Sequence, residues 1–223
     1  MDYREYILVS VLWIGYCAVH SALISTTFTE FVKRKLGEKA CYHRIFFNVF
    51  SLVSIIPLLI HSRSTGSGIE PLFAWDGTPL SIAKYVLIAL AAVIALAVGS
   101  RYSLRRFLGL EQIRGRAGRG MTEGGGIDSS GILGIIRHPW YVAVFILLWV
   151  GDLTPLKILI NVILSGYLVI GTFLEERKLV LEFGDSYRKY QADVSMFVPL
   201  KWLKSKLRRG YKKEEECEGI TLR

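Results

Sequence analysis

The sequence predicts an all-α, multi-pass membrane protein with about five transmembrane helices, its N-terminus outside and its C-terminus inside, followed by a cytoplasmic amphipathic helix. Three observations carry that reading. The 223 residues are 52% hydrophobic with a mean hydropathy of +0.37, yet bear a formal net charge of +9. Apolar residues collect in long blocks, whereas a soluble domain of this length alternates them with polar ones. The basic residues fall almost entirely in alternate connections between those blocks, the pattern of cytoplasmic loops facing acidic lipid.

Five apolar segments stand out, at about 5–27, 45–62, 80–99, 139–151 and 154–174. The first, third and fifth are long enough for a helix to cross a hydrocarbon core of roughly 30 Å, and the second is near the lower limit. The fourth is short and is joined to the fifth by only "GDLTP", which predicts a tight helical hairpin whose first arm does not necessarily cross fully. The N-terminus, "MDYREYILVSVLWIGY", lacks a basic n-region and an A-x-A cleavage site, so it reads as the first span and not as a removable signal.

Loop charges set the orientation. Lys33, Arg34, Lys35, Lys39 and Arg44 follow the first span; Arg101, Arg105, Arg106, Arg114, Arg116, Arg119 and Arg137 follow the third. Lys201, Lys204, Lys206, Arg208, Arg209, Lys212 and Lys213 follow the fifth, whereas Arg63 is the only basic residue of the alternate connections 63–79 and 152–153. All three basic regions therefore lie on one side, which the positive-inside rule makes the cytoplasm. No basic, aromatic-interleaved stretch suggests a nucleic-acid surface, and membrane lipids are the expected neighbours. Cys17, Cys41 and Cys217 form no CxxC pair and are odd in number, so neither a disulfide framework nor a metal site is expected.

The chain reads as a single membrane domain over 1–223, with three N-terminal spans in 1–100, a hairpin-containing region at 130–200 and a charged tail at 201–223. The glycine-rich stretch "RGRAGRGMTEGGGIDSSG" follows a span, not a β-strand, and lacks GxxxxGK[ST], which disfavours a nucleotide-binding loop.

Polar residues inside apolar blocks are the candidate functional groups. On the fifth segment Asn161, Ser165, Thr172 and the pair Glu175–Glu176 fall within one ~100° sector of a helix, a stripe that must line protein or water. The two glutamates read either as solvated helix-end residues or as functional carboxylates opposite Arg137 and His138, which stand at the mouth of the fourth segment in "IIRHPWYV". Downstream, Phe183, Tyr187, Tyr190 and Val194 have helical spacing; that helix either lies against the membrane face or lids a pocket. In the first span Trp13, Tyr16 and His20 share a face, His20 being either an interhelical hydrogen-bond partner or a substrate contact. Arg44, Asn48 and Ser51 repeat the pattern in the second.

"GILGIIRHPWYVA" at 131–143, followed by "FLEERKLVLEFGDSYRKYQADVSMFVP" at 173–199, resembles the isoprenylcysteine carboxyl methyltransferase superfamily, which includes membrane phospholipid methyltransferases. The shared elements are an RHPxY stretch, a hairpin, a Glu-Glu pair, FGxxYxxY and a terminal proline. In the N-terminal half, "YCAVHSALIS" and "FLGLEQI" are more similar to the subgroup of methanethiol S-methyltransferase and the denitrification-associated membrane proteins.

The resemblance implies an S-adenosylmethionine-dependent methyltransferase. Its acceptor is a lipophilic prenylcysteine-like carboxylate or a small thiol, with a phospholipid amine also open. The residue types suit that cofactor. Arg137 and His138 can donate to its carboxylate, and Glu175 or Glu176 can accept from its ammonium or ribose. Pro139 starts a helix whose free N–H groups suit an anion. Tyr141 and Trp140 offer π-faces, and Gly134 allows close backbone approach. Arg137 and His138 are the expected catalytic pair, the first orienting an acidic acceptor and the second removing a proton. His20, Asn161, Ser165 and Tyr187 are the expected substrate pocket. A nicotinamide-dependent membrane reductase and a non-catalytic carrier or assembly protein of the same fold are the rivals.

Overall fold

A computed structural model describes residues 2–100, 103–113 and 127–208. Arg101, the glycine-rich residues 114–126 with Arg114, Arg116 and Arg119, and the tail beyond Arg208 with Cys217 lie outside the described residues. Among the described residues every regular element is a helix, with two isolated β-bridges and no strand.

Four helical stretches are long and apolar enough to cross a membrane: Tyr3–Ile24, Thr26–Thr65, Thr78–Gly99 and Pro155–Phe183. Helix α1 (Tyr3–Ile24) starts on an Asp2 cap and ends at Ser25, whose side chain in turn accepts from Phe28 N–H and starts α2 (Thr26–Leu36). The basic connection after the first span is thus itself a helix, with Lys33, Arg34 and Lys35 in its last turn, where they oppose the negative end of the dipole. A 3₁₀ turn over Gly37–Tyr42 leads into α3 (His43–Thr65), which carries Pro57 in its interior. Pro79 stands in the first turn of α4 (Thr78–Gly99), where its missing N–H costs no hydrogen bond.

Two short helices, α5 (Leu104–Leu108) and α6 (Leu110–Ile113), fold back against the start of α3. Gly109 joins them at φ +91, and a Cβ there would come within 3.0 Å of the Ile45 side chain. Helix α7 (Pro139–Trp149) has 11 residues, about 16 Å of helix, and is too short to cross. Among the described residues, four helical stretches therefore meet the crossing length, with α7 as a partial fifth. Helix α8 (Pro155–Phe183) has 29 residues, so Glu175 and Glu176 sit two turns inside the helix and not at its end. Gly184, at φ +59, breaks the chain into α9 (Asp185–Asp193), and a last helix covers 200–208.

Packing divides into two seams. Val9 and Trp13 of α1 bury against Leu156 of α8, with Trp13 Nε1 donating to Ser62 of α3 at 3.0 Å. Ala91, Ile94 and Val98 of α4 bury against Ala143 of α7; alanines at that crossing let the two backbones approach, as small residues do between helices in lipid. Large apolar side chains face outward all round, among them Leu52, Ile60, Val93 and Leu96, a surface that fits hydrocarbon and not water.

The connections meet in two groups. The α3–α4 connection pairs with the α7–α8 turn, where Leu153 N–H donates to Phe73 O at 2.8 Å and Asp152 accepts from Trp75 N–H. At the other end, Arg44 Nε and Asn48 Nδ2 both donate to Phe107 O, at 3.1 and 3.0 Å. The weakly charged connections thus share one end of the bundle. The basic ones, with the start of α7 and the end of α8, share the other.

Candidate functional site

The site forms where the chain approaching α7 crosses α8. Ile136 bridges in parallel to Ser195, so that Arg137 N–H donates to Ser195 O at 2.9 Å and His138 N–H to Met196 O at 3.2 Å. This short pairing turns both side chains toward α8.

Glu176 is the hub. Its carboxylate accepts from Arg137 Nε and Nη2 at 2.7 and 3.0 Å, from His138 Nε2 at 2.9 Å, from Tyr187 at 3.1 Å and from Gln191 Nε2 at 2.6 Å. Those bonds fill the lone-pair sites a carboxylate has. The remaining Arg137 nitrogen, Nη1, donates to the carbonyls of Gln191 and Val194. Arg137 and Glu176 side chains are each only 7% exposed, so this is a buried, bidentate pair with every polar atom satisfied. The Tyr187 phenol is pushed above its ordinary pKa, first by burial and then by the adjacent Glu176 charge. It therefore stays a hydrogen-bond donor.

Glu175 differs. Its side chain is 45% exposed, accepts from Tyr141 Oη at 2.6 Å, and lies 3.7 Å from His138 Nδ1. His138 thus bridges the two carboxylates, and its ring stacks parallel on Tyr141, with centroids 5.5 Å apart. The hydrogen-bond ladder of α7 begins at Val142 N–H on His138 O, so the Trp140 N–H leads the helix with no carbonyl partner inside it. A half-exposed carboxylate, an aromatic face and a forward-pointing N–H group therefore share one lip.

The structure accordingly brings together Arg137, His138, Pro139, Tyr141, Glu175, Glu176 and Tyr187. Gly134 belongs to the approach: a Cβ there would stand 2.5 Å from Ser129 O, so the close neighbour is the protein's own backbone. Asn161 and Ser165 serve the far end of α7. Asn161 Nδ2 donates to Leu148 O at 2.6 Å, and Ser165 accepts from Trp149 Nε1 at 3.1 Å. A helix that stops within the apolar layer must have its last carbonyls satisfied; Asn161 does this for Leu148, and Ser165 takes the indole N–H of Trp149. His20 lies apart from this lip, between α1, α3 and α8. Sequence reasoning missed Gln191, although its spacing of four from Tyr187 puts both on one face of α9.

The chain is similar to methanethiol S-methyltransferases. It is 39% identical over 66 residues to the enzyme of that name from Pseudomonas sp. (strain GM41(2012)), a match covering 29% of this chain and 25% of the relative. It is 24% identical over 209 residues to methanethiol S-methyltransferase 1 of Bradyrhizobium diazoefficiens, covering 90% of this chain and 69% of that one. The Mycobacterium tuberculosis protein is 32% identical over 65 residues. The Pseudomonas match thus spans a quarter of that relative's length. No family model and no solved structure matches.

Proposed function

We propose that the protein is an S-adenosylmethionine-dependent integral membrane methyltransferase that methylates a small, membrane-partitioned thiol, with its site on the cytoplasmic face. The observation that carries this reading is the lip beside the Arg137–Glu176 pair, where Glu175 keeps an accessible carboxylate beside the start of α7. The names of the relatives support the thiol over the prenylcysteine-like carboxylate, and the clustering of basic connections at the site's end of the bundle supports the cytoplasmic face.

The residues fit the donor. Glu175 accepts from an ammonium or from ribose hydroxyls, the Trp140 N–H receives a carboxylate, and the Tyr141–His138 stack presents a π-face to a cation or an adenine. When bound, S-adenosylmethionine supplies an electrophilic methyl group. Arg137 and Glu176, being engaged with each other, hold the approach to α7, α8 and α9 in register, a framing role. Tyr187 and Gln191 close the inner side of the hub to water. Holding donor and acceptor in one orientation supplies much of the rate enhancement such a displacement needs, up to ~7–11 kcal/mol in favourable cases.

The test is calorimetric titration of detergent-purified protein with S-adenosylhomocysteine, followed by labelled-methyl transfer to methanethiol and to a farnesylated cysteine. Saturable binding that weakens at least tenfold in Glu175→Ala, at unchanged melting temperature, is the expected result. Binding of a nicotinamide dinucleotide in its place, or of neither, overturns the reading. Transfer to the carboxylate alone overturns the choice of acceptor.

A further inference from the structure

The last helix, residues 200–208, is exposed along its whole length, and its side chains are sorted by chemistry. At 100° per residue, Leu200, Leu203 and Leu207 fall within one sector of about 60°. Leu200 and Leu207 are 57% and 72% exposed, so the described residues leave this leucine edge uncovered. Lys204 and Arg208 stand on one flank of it. Lys206 and Trp202 stand on the other, with Lys206 Nζ 5.7 Å from the centroid of the Trp202 ring. Residues 200–208 hold no acid, and none of these three cations meets a carboxylate among the described residues.

Opposite the leucine edge are Ser205 and Lys201, and Lys201 ties the helix to the site. Its N–H donates to Ser195 Oγ at 3.0 Å, and its Nζ to the carbonyls of Gln191 and Ala192 at 2.6 and 2.7 Å. A cation there meets the negative end of α9. Ser195 in turn bridges to Ile136, three residues ahead of the start of α7 at Pro139. The last helix therefore begins at the depth where α7 enters the apolar layer. Gln191 gives its side chain to Glu176 and its carbonyl to Arg137. Whatever holds the last helix thus also holds the strap, residues 187–196, against the hub.

We propose that residues 200–208 are an in-plane anchor seated on acidic phospholipid of the leaflet beside the lip, and that this seat keeps the strap closed over Glu176; the seat requires the four crossing-length stretches to span a membrane and is independent of the reaction catalysed. A leucine edge between two cationic flanks suits a lipid surface. The leucines sink below the headgroups, and the lysine and arginine stems run back up to the phosphates. Trp202 fits the headgroup level, where indoles collect. The charge decides which lipid. An acidic leaflet favours each nearby cation about fivefold, so Lys204, Lys206 and Arg208 together select acidic over zwitterionic headgroups by about a hundredfold. The seat and the strap are joined through Lys201, whose own charge is spent on α9.

The experiment uses the full chain, its three cysteines replaced by serine, in nanodiscs of phosphatidylcholine alone or mixed equally with phosphatidylglycerol. A nitroxide is attached at Leu207→Cys or at Ser205→Cys. Its surroundings are read from collisions with oxygen, which concentrates in hydrocarbon, and with a water-soluble nickel chelate. In acidic discs the label at 207 should favour oxygen over the chelate at least fivefold more than the label at 205. In neutral discs, or with Lys204→Glu and Arg208→Glu together, chelate access at 207 should rise at least fivefold at unchanged melting temperature. Equal access at 207 and 205 in acidic discs overturns the seat and leaves the leucine edge to a protein partner. Burial at 207 that persists in neutral discs or in the charge-reversed chain overturns the choice of acidic lipid. Amide hydrogen exchange across 187–196 should be at least threefold slower in acidic than in neutral discs, and equal exchange overturns the hold on the strap.

Discussion

A carboxylate that accepts five hydrogen bonds in a closed seam has no lone pair left for a ligand, and Glu176 is such a group. Its neighbour Glu175, one residue earlier, has the accessible oxygens. The pair therefore divides the work. Truncating either partner of the inner ion pair should be severe: Arg137→Ala leaves a buried, uncompensated carboxylate, and about 3–5 kcal/mol of stability should be lost, read from thermal or denaturant unfolding in detergent. Tyr187→Phe removes a single charged hydrogen bond and should cost about 1.5–3 kcal/mol by the same assay. The sign with pH follows from the raised Tyr187 pKa. A phenol held above its unfolded value contributes stability that is complete below about pH 10 and is lost as pH climbs toward the folded value. The wild type should thus lose stability in alkali more steeply than the phenylalanine variant. The meeting of "RHP" with the Glu-Glu pair was legible in the sequence, because both motifs stand beside apolar blocks that had to pack. Which glutamate the arginine takes was not. It depends on the main-chain pairing of Ile136 with Ser195, a contact 59 residues apart that leaves no periodic trace.

At the scale of the element, α7 is the unusual helix. It begins at the lip and stops well short of the far end of α8, so its last turn ends beside apolar side chains. Asn161 and Ser165 hold that end, through Leu148 O and the Trp149 indole. Asn161→Leu should cost about 1–3 kcal/mol, the penalty for stranding a carbonyl, and should lower the melting temperature while leaving homocysteine-product affinity nearly intact. The polar stripe on α8 was visible from its spacing. Its purpose was hidden, because spacing along one helix does not reveal where the neighbouring helix terminates. The α9 segment illustrates the reverse case. Tyr187 and Tyr190 share a face, as the repeat predicts, but Gly184 and the extended backbone at Val194 bound the helix tightly. That face turns inward onto Glu176 and Leu133 O.

For the whole molecule, sidedness is the property most open to a direct check. The α3–α4 connection and the α7–α8 turn are tied together at one end; the basic segments and the lip lie at the other. With Cys17, Cys41 and Cys217 replaced by serine, a cysteine at Ser67 should react with an impermeant maleimide from outside intact cells. One at Ser205 should react only after permeabilisation; the opposite pattern would invert the proposed orientation. The apolar blocks, and the shortness of the fourth, were legible from the order of the residues, but that α2 is a helix and where each helix begins and ends were not. Both depend on caps and stops, such as Ser25, Gly37 and Pro139, that composition does not weigh. The Arg137–Glu176 clasp also dictates the order in which the molecule is born. Its closing strap, residues 187–196, is translated after all four crossing-length stretches of the described residues. A nascent chain can therefore settle its apolar helices into lipid with the lip still unbuilt, and the clasp closes only when that strap folds back.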